Sequence, residues 1–220
     1  MNISMKSYWN KRYQGGRIWG DIPCPSAVLA KEHFKRHKVQ SVLVPGCGYG
    51  RNSLYFAQQG FEVVAFDISD LAIKHAVEQA KVHLMENLHY AVDDLFNPLF
   101  LERKQFDGIY LSNVIHLFLK NERDALFDIV TSLLKPKGVL AFSCISVYDA
   151  NNYGIGDEIE PNTFMKHEGK PLHFFADEEI REILEPRYRI LEQRLHIQTE
   201  SDPSGEVEDL HLWFVAAEKE

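Results

Sequence analysis

From residue 40 to residue 146, short apolar runs alternate with segments of helical period, and few folds accept that order. SVLV (41–44) reads as a buried first strand, and FEVVAF (61–66), LHYAV (88–92), FDGIYL (106–111) and VLAFSCIS (139–146) as the second to fifth strands. Between them, a helix from about Arg51 to Gln59 stops at Gly60, and Ser69 caps a helix with Ala72, Ile73, Ala76, Val77 and Ala80 on one face. Leu126, Ile129, Val130, Leu133 and Leu134 then follow i, i+3, i+4, i+7, i+8 before Lys135-Pro136-Lys137-Gly138 ends that helix. This alternation predicts an α/β fold with helices on both faces of a mostly parallel sheet.

After the fifth strand the pattern breaks. The stretch from Tyr148 to His173 is rich in Asn, Gly, Glu and Pro, and an unbroken loop of that length is expected to be a functional lid or a disordered segment. A helix at Ala176 to Leu184 follows. YRILEQRLHIQ (188–198) and LHLWFVAAE (210–218), joined by the turn-forming SDPSGE, then read as a hairpin, so the last strand of a seven-stranded sheet is antiparallel to its neighbours. The expected organisation is a single domain over 1–220. It has an N-terminal helical lid segment at 1–39, a cofactor-binding core at 40–146, a lid loop at 147–175, and a C-terminal helix and hairpin at 176–220.

A chain of 220 residues with 45% hydrophobic content suits one well-buried domain. No apolar run approaches the ~20 residues of a membrane span, and MNISMKSYWNKRY lacks the apolar core of a signal peptide, so the expected location is the cytoplasm, with no membrane partner. Cys24, Cys47 and Cys144 are odd in number and show no CxxC spacing, against a disulfide framework or a zinc site; no metal is expected. The net charge of -8 disfavours a nucleic-acid partner. Residues 1 to 40 carry +6 and the remainder -14, which reads either as a solvated helix face or as a basic edge for an anionic ligand.

Chemistry concentrates in VPGCGYGRN (44–52), where Gly46, Gly48 and Gly50 lie between the first strand and the first core helix. Glycines there let the backbone turn tightly and approach a ligand closely. The dinucleotide fingerprint needs a glycine where this chain has Arg51, and a phosphate-binding P-loop needs GK[ST], which is absent. Asp67 ends the second strand, about 20 residues past the glycines, where an acid accepts from ribose hydroxyls. The third strand ends in Val92-Asp93-Asp94-Leu95, which puts a carboxylate where an adenine amino group can bind. Glycine loop and two strand-end carboxylates describe an adenosine pocket without a pyrophosphate. Taken singly, each has a plainer use: a glycine as a turn, Asp93 as a surface cap. Cys47 reads as a small residue lining the pocket through its backbone rather than as a nucleophile, since nothing nearby in sequence lowers its pKa.

On these residues the chain resembles the class I S-adenosylmethionine-dependent methyltransferases. Gly46, Gly48 and Gly50 match that family's glycine motif, Asp67, followed by Ile68, its ribose acid, Asp94-Leu95 its adenine-contacting pair, and LKPKGVLAF (134–142) its motif before strand five. The similarity covers about residues 40 to 146, and the closing hairpin fits the family's strand order. It implies a Rossmann-like seven-stranded sheet, S-adenosyl-L-methionine as cofactor and S-adenosyl-L-homocysteine as product. GCGYGRNSLYFAQQGFEVVAFD is similar to the tellurite-resistance methyltransferases. VPGCG, and W-x-x-x-Y followed by a glycine-containing loop and Trp19, are similar to the thiopurine and thiol methyltransferases, which share Val44 where the wider family often has an acid. Asn113, after strand four, either presents backbone groups to the methionine part or does ordinary loop duty. Arg51 either binds the methionine carboxylate or is a surface arginine. Tyr8, Trp9, Tyr13 and Trp19 either cover the cofactor as an N-terminal lid or simply pack a helix.

The resemblance implies in-line transfer of an activated methyl, which chiefly needs proximity, alignment and exclusion of water. Hydroxyl acceptors would need a base; thiolates and other soft anions would not. His116, His173 and His211 are the candidates to face substrate, because all three are expected at the carboxyl end of the sheet and histidine titrates near neutrality. Strand four is followed by Ser112-Asn113-Val114-Ile115, not the [DN]PP[FYW] shared by adenine-amino methyltransferases of nucleic acids. With the acidic composition, this points to a small-molecule acceptor, a thiol or metalloid oxyanion being favoured. A non-catalytic regulatory protein that binds an adenosyl cofactor, and a nicotinamide-dependent oxidoreductase, are the competing functions.

Overall fold

The computed structural model describes residues 3–101, 104–166, 170–201 and 207–220. Five strands form in the order anticipated: β1 (Ser41–Pro45), β2 (Glu62–Asp67), β3 (Leu88–Val92), β4 (Phe106–Ser112) and β5 (Leu134–Ile145). They pair in parallel, β3 on β2, β2 on β1, β1 on β4 and β4 on β5. Two long strands finish the chain, β9 (Tyr188–Ser201) and β10 (Val207–Lys219). β10 runs antiparallel to both β5 and β9, giving a seven-stranded sheet of order β3-β2-β1-β4-β5-β10-β9. This is the mostly parallel sheet the alternation implied, in the Rossmann-like form the resemblance implied. Most of the connecting SDPSGE lies outside the described residues.

Helices cover both faces because the central strands are apolar on both. Leu43, Ile109, Leu140 and Phe142 pack on one side against α5 (Lys120–Leu133) and α6 (Asp177–Leu184). Val42, Val63, Tyr110 and Ala141 pack on the other against α2 (Pro25–Arg36) and α3 (Arg51–Gln58), with Ala80 of α4 (Asp70–Val82) at its margin. The Ser69 hydroxyl accepts from the Ala72 N–H at 3.0 Å, so the expected cap starts α4. No helix among the described residues is long and apolar enough to cross a membrane.

Two sequence expectations need correction. Residues 1–39 were expected to form a lid, yet only α1 (Ile3–Tyr13) and the turn that carries Trp19 reach the cavity at the mouth of the sheet. α2 is a core helix: Ala27, Ala30 and Phe34 are fully buried at i, i+3, i+7, and the Ser26 and Tyr110 hydroxyls meet at 2.8 Å. Burying Phe34 alone contributes about 1.5–3 kcal/mol. Residues 147–175 were expected to be a lid loop. They instead contain β6 (Asp157–Glu160), β7 (Thr163–Lys166) and β8 (Lys170–His173), an antiparallel three-stranded sheet. A bridge from Ser146 to Phe175 ties its far end back to the end of β5.

Candidate functional site

The carboxyl ends of β1, β2 and β4 open into a cavity of about 810 Å³, the position where open α/β sheets place ligands. Its floor is the glycine loop. Gly48 has φ +56, a Cβ there would come within 2.7 Å of the Tyr13 hydroxyl, and its N–H donates to Asp67 Oδ2 at 2.9 Å. The second oxygen of Asp67 accepts from the Ser69 N–H at 2.9 Å. Asp67 therefore fastens the loop to the next helix while lining the cavity, and a carboxylate has lone pairs left for further donors. Burial pushes its pKa up, and the N–H groups of Ser69 and Gly48 pull against that.

Most of the predicted cofactor residues gather here. Gly46, Cys47, Gly48, Arg51, Asp67 and Ile68 form one wall. Asp94, Leu95, Asn113 and Trp19 complete it. Asp94 Oδ1 accepts from the Phe96 N–H at 3.0 Å, which shapes the turn after β3. Cys47 is held through its backbone, its N–H donating to the Phe66 carbonyl at 3.0 Å, and burial pushes its thiol pKa well up, an unreactive state.

Two of the predicted residues are absent from the wall. Gly50 has φ +87 at the N-cap of α3, but a Cβ there would collide with the Tyr90 hydroxyl and lie 2.9 Å from the Ala76 Cβ. It is a packing glycine. Asp93 is buried beneath the site, where its two oxygens accept from the Asp94 N–H at 2.8 Å and the Phe100 N–H at 3.0 Å. It is thus a cap inside the loop.

The three histidines separate. His116 lines the cavity from the short 3-10 turn Ile115–Leu117. Its Nδ1 accepts from the Ile145 N–H at 3.1 Å, so the neutral ring carries its proton on Nε2. Burial, with His173 nearby, pushes its pKa down to about 3. His173 does not face the cavity. Its Nε2 donates to the Glu179 carboxylate at 2.8 and 3.0 Å, which ties β8 to α6, and its Nδ1 lies 2.8 Å from the Thr163 hydroxyl of β7, within the small sheet. His211 is at the right end of the sheet on the wrong face. Leu210 and Leu212 line the cavity, and alternate residues of a strand point to opposite sides.

The N-terminal aromatics divide as well. Trp9, Tyr13 and Trp19 reach the cavity, whereas Tyr8 lies beneath Lys170, 3.9 Å from its Nζ. α1 is moored to α4 by Asn10, which accepts from the Ser69 hydroxyl at 2.6 Å and donates to Asp70 at 2.6 Å. Residues with no local sequence signal complete the wall. Met165, Pro171 and Leu172 come from the small sheet, Leu119 and Glu122 from the start of α5, and Glu200 from β9. Only the three-dimensional fold brings them in.

A methyltransferase-domain family matches residues 42–138, the segment that carries the loop, Asp67 and Asp94. The thiopurine S-methyltransferase of Legionella pneumophila strain Paris is 32% identical over 147 residues, 60% of this chain and 66% of that protein. The chain belongs to the class I S-adenosylmethionine-dependent methyltransferases. S-adenosylmethionine is accordingly the cofactor of this class I chain. A probable S-adenosylmethionine-dependent methyltransferase, TehB of Haemophilus influenzae, is 28% identical over 118 residues, 54% of this chain and 37% of that protein. The chain spans about two thirds or less of the length of these curated relatives. The class I fold is shared with the 1,6-didemethyltoxoflavin N1-methyltransferase of Burkholderia thailandensis, at TM-score 0.73 and 20% identity over 98% of this chain and 87% of that one.

Proposed function

We propose that this chain transfers the methyl group of S-adenosylmethionine to a small soft nucleophile, a thiol or a metalloid oxyanion. The observation that carries the choice of acceptor is His116. Among the described residues it is the histidine on the cavity wall, and with Nδ1 committed to the Ile145 N–H and a pKa near 3 it is no base at neutral pH. An acceptor that is already anionic needs none. Leu119, Met165, Leu172 and Leu212 line the same cavity as His116, and this supports a small apolar carrier.

When bound, S-adenosylmethionine supplies a methyl activated by its sulfonium. The residues suit it: Gly46 and Gly48 admit close approach of the ligand, Asp67 has acceptor capacity for ribose hydroxyls, and Asp94 with Leu95 stands where adenine would lie. Asn113 borders the methionine part, and Arg51 at the start of α3 is placed for its carboxylate. Trp9, Tyr13 and Trp19 exclude water from above, so the chain's contribution is positioning and desolvation. His116 Nε2–H is a donor to the anionic acceptor atom.

A panel of acidic thiols, selenium and tellurium oxyanions, phenols and amines, read as S-adenosylhomocysteine release, tests this. Turnover is expected with thiols or oxyanions. Turnover confined to phenols or amines would overturn the acceptor class. Binding of S-adenosylmethionine with no turnover on any class would favour the regulatory alternative.

A further inference from the structure

One carboxylate on the cavity wall comes from far outside the motif region. β9 continues past the end of β5, and its last residues bring Glu200 to the N-terminus of α3. There Arg51 Nη2 donates to Glu200 Oε1 at 3.2 Å, and Arg51 Nη1 donates to the Trp19 carbonyl at 2.6 Å. Gln198, 3% exposed, donates from Nε2 to the same Glu200 Oε1 at 2.6 Å. Both donors use one oxygen, which leaves Oε2 of a cavity-lining carboxylate without a hydrogen-bond partner among the described residues. A guanidinium has five N–H donors, so Arg51 also keeps donor capacity.

We infer that Glu200 is the acceptor for the α-ammonium of the cofactor's amino-acid end, acting beside Arg51 as one half of a clamp for a zwitterion. This rests on the proposed S-adenosylmethionine site. Asp94 follows β3, Asp67 ends β2, and the glycine loop follows β1, so the adenosine occupies the β3 side of the sheet. The amino-acid end must then run away from β3, toward the side from which the β9–β10 hairpin reaches over. A carboxylate and an ammonium on one carbon are complementary to a guanidinium and a carboxylate held 3.2 Å apart. Arg51 alone would accept any anion; the pair selects an amino acid. Gln198 and the strand backbone keep Glu200 in place before the ligand arrives.

The test measures calorimetric affinities on the full chain for S-adenosylhomocysteine, for 5′-methylthioadenosine, which lacks the amino acid, and for the desamino analogue of S-adenosylhomocysteine, which keeps the carboxylate. In the unmodified protein the desamino analogue is expected to bind roughly tenfold or more weakly than S-adenosylhomocysteine, the loss of one charge-assisted hydrogen bond. Glu200→Gln is expected to weaken S-adenosylhomocysteine by a similar factor, to leave 5′-methylthioadenosine unchanged, and to abolish the preference over the desamino analogue. Equal weakening of S-adenosylhomocysteine and its desamino analogue, with the preference between them kept, would show that Glu200 only supports Arg51 and would overturn the inference, as would weakening of 5′-methylthioadenosine by the same factor or equal affinity of the unmodified protein for the two homocysteine ligands. An unmodified protein that binds none of the three would overturn the cofactor site itself.

Discussion

Gly50 offers the sharpest test of the packing beneath the site, because the sequence motif presents it as a ligand-facing glycine and the structure does not. In Gly50→Ala, two costs add. Holding a non-glycine residue at φ +87 costs about 1–2 kcal/mol. The new methyl must also displace the Tyr90 hydroxyl and the Ala76 Cβ, an overpacking cost of about 1–3 kcal/mol. Together they come to about 2–5 kcal/mol, a large share of the roughly 5–15 kcal/mol that holds a domain folded. Tyr90 is not free to move: its hydroxyl lies 2.9 Å from that of Ser53 in the first turn of α3. Urea unfolding followed by circular dichroism measures the loss, and repeating it in a Tyr90→Phe background separates the two causes. Removing the hydroxyl should return about 1 kcal/mol or more of the penalty and leave the backbone share in place. An identical cost in both backgrounds would refute the contact argument, and a cost below about 0.5 kcal/mol would refute both.

His116 predicts a pH dependence of stability. Its folded pKa lies near 3 and its unfolded value near 6.5, so between these the unfolded chain binds a proton the native one does not. Stability should therefore fall as pH drops through that window, by about 1.4 kcal/mol per unit from this group. His116→Gln should flatten the slope between pH 6 and pH 4 in urea midpoints by that amount, and an unaltered slope would count against the buried neutral ring. His173→Ala is expected to destabilise the fold by about 2–4 kcal/mol, since it strands Thr163 and Glu179, without changing S-adenosylhomocysteine affinity at temperatures where the protein stays folded. Unchanged stability in that variant would show that the histidine does not tie the small sheet to α6.

What could be read from the sequence follows physical range. β1, β2, β4 and β5 are legible because strands buried on both faces are continuous apolar runs, and Asp67 because a strand end fixes where its side chain emerges. α2 belongs to the core through Ala27, Ala30 and Phe34, while the aromatic residues that precede it reach the site, so residues 1–39 serve two different purposes. β6, β7 and β8 were hidden by their length and polarity: DEIE, TFMK and KPLH are each four residues, with Pro171 in the last, and none shows a pattern alone. His211 depends on register. The pairing of Leu212 with Ile145 decides which face of β10 meets the cavity, and that pairing is a tertiary fact. Asp93 and Asp94 are adjacent carboxylates that only the turn distinguishes, one folded inward onto backbone N–H groups and one outward.

The Arg51–Glu200 ion pair joins residues 149 positions apart, while the part of the cavity proposed for adenosine is lined chiefly by residues between 46 and 95. Closing so long a segment of chain delays a contact during folding, because its entropy must be lost before the contact contributes. Refolding protein should thus acquire a nucleoside-sized pocket before it can tell the whole cofactor from its nucleoside fragment. Discrimination arrives when the hairpin docks, as the last step by which the molecule becomes selective.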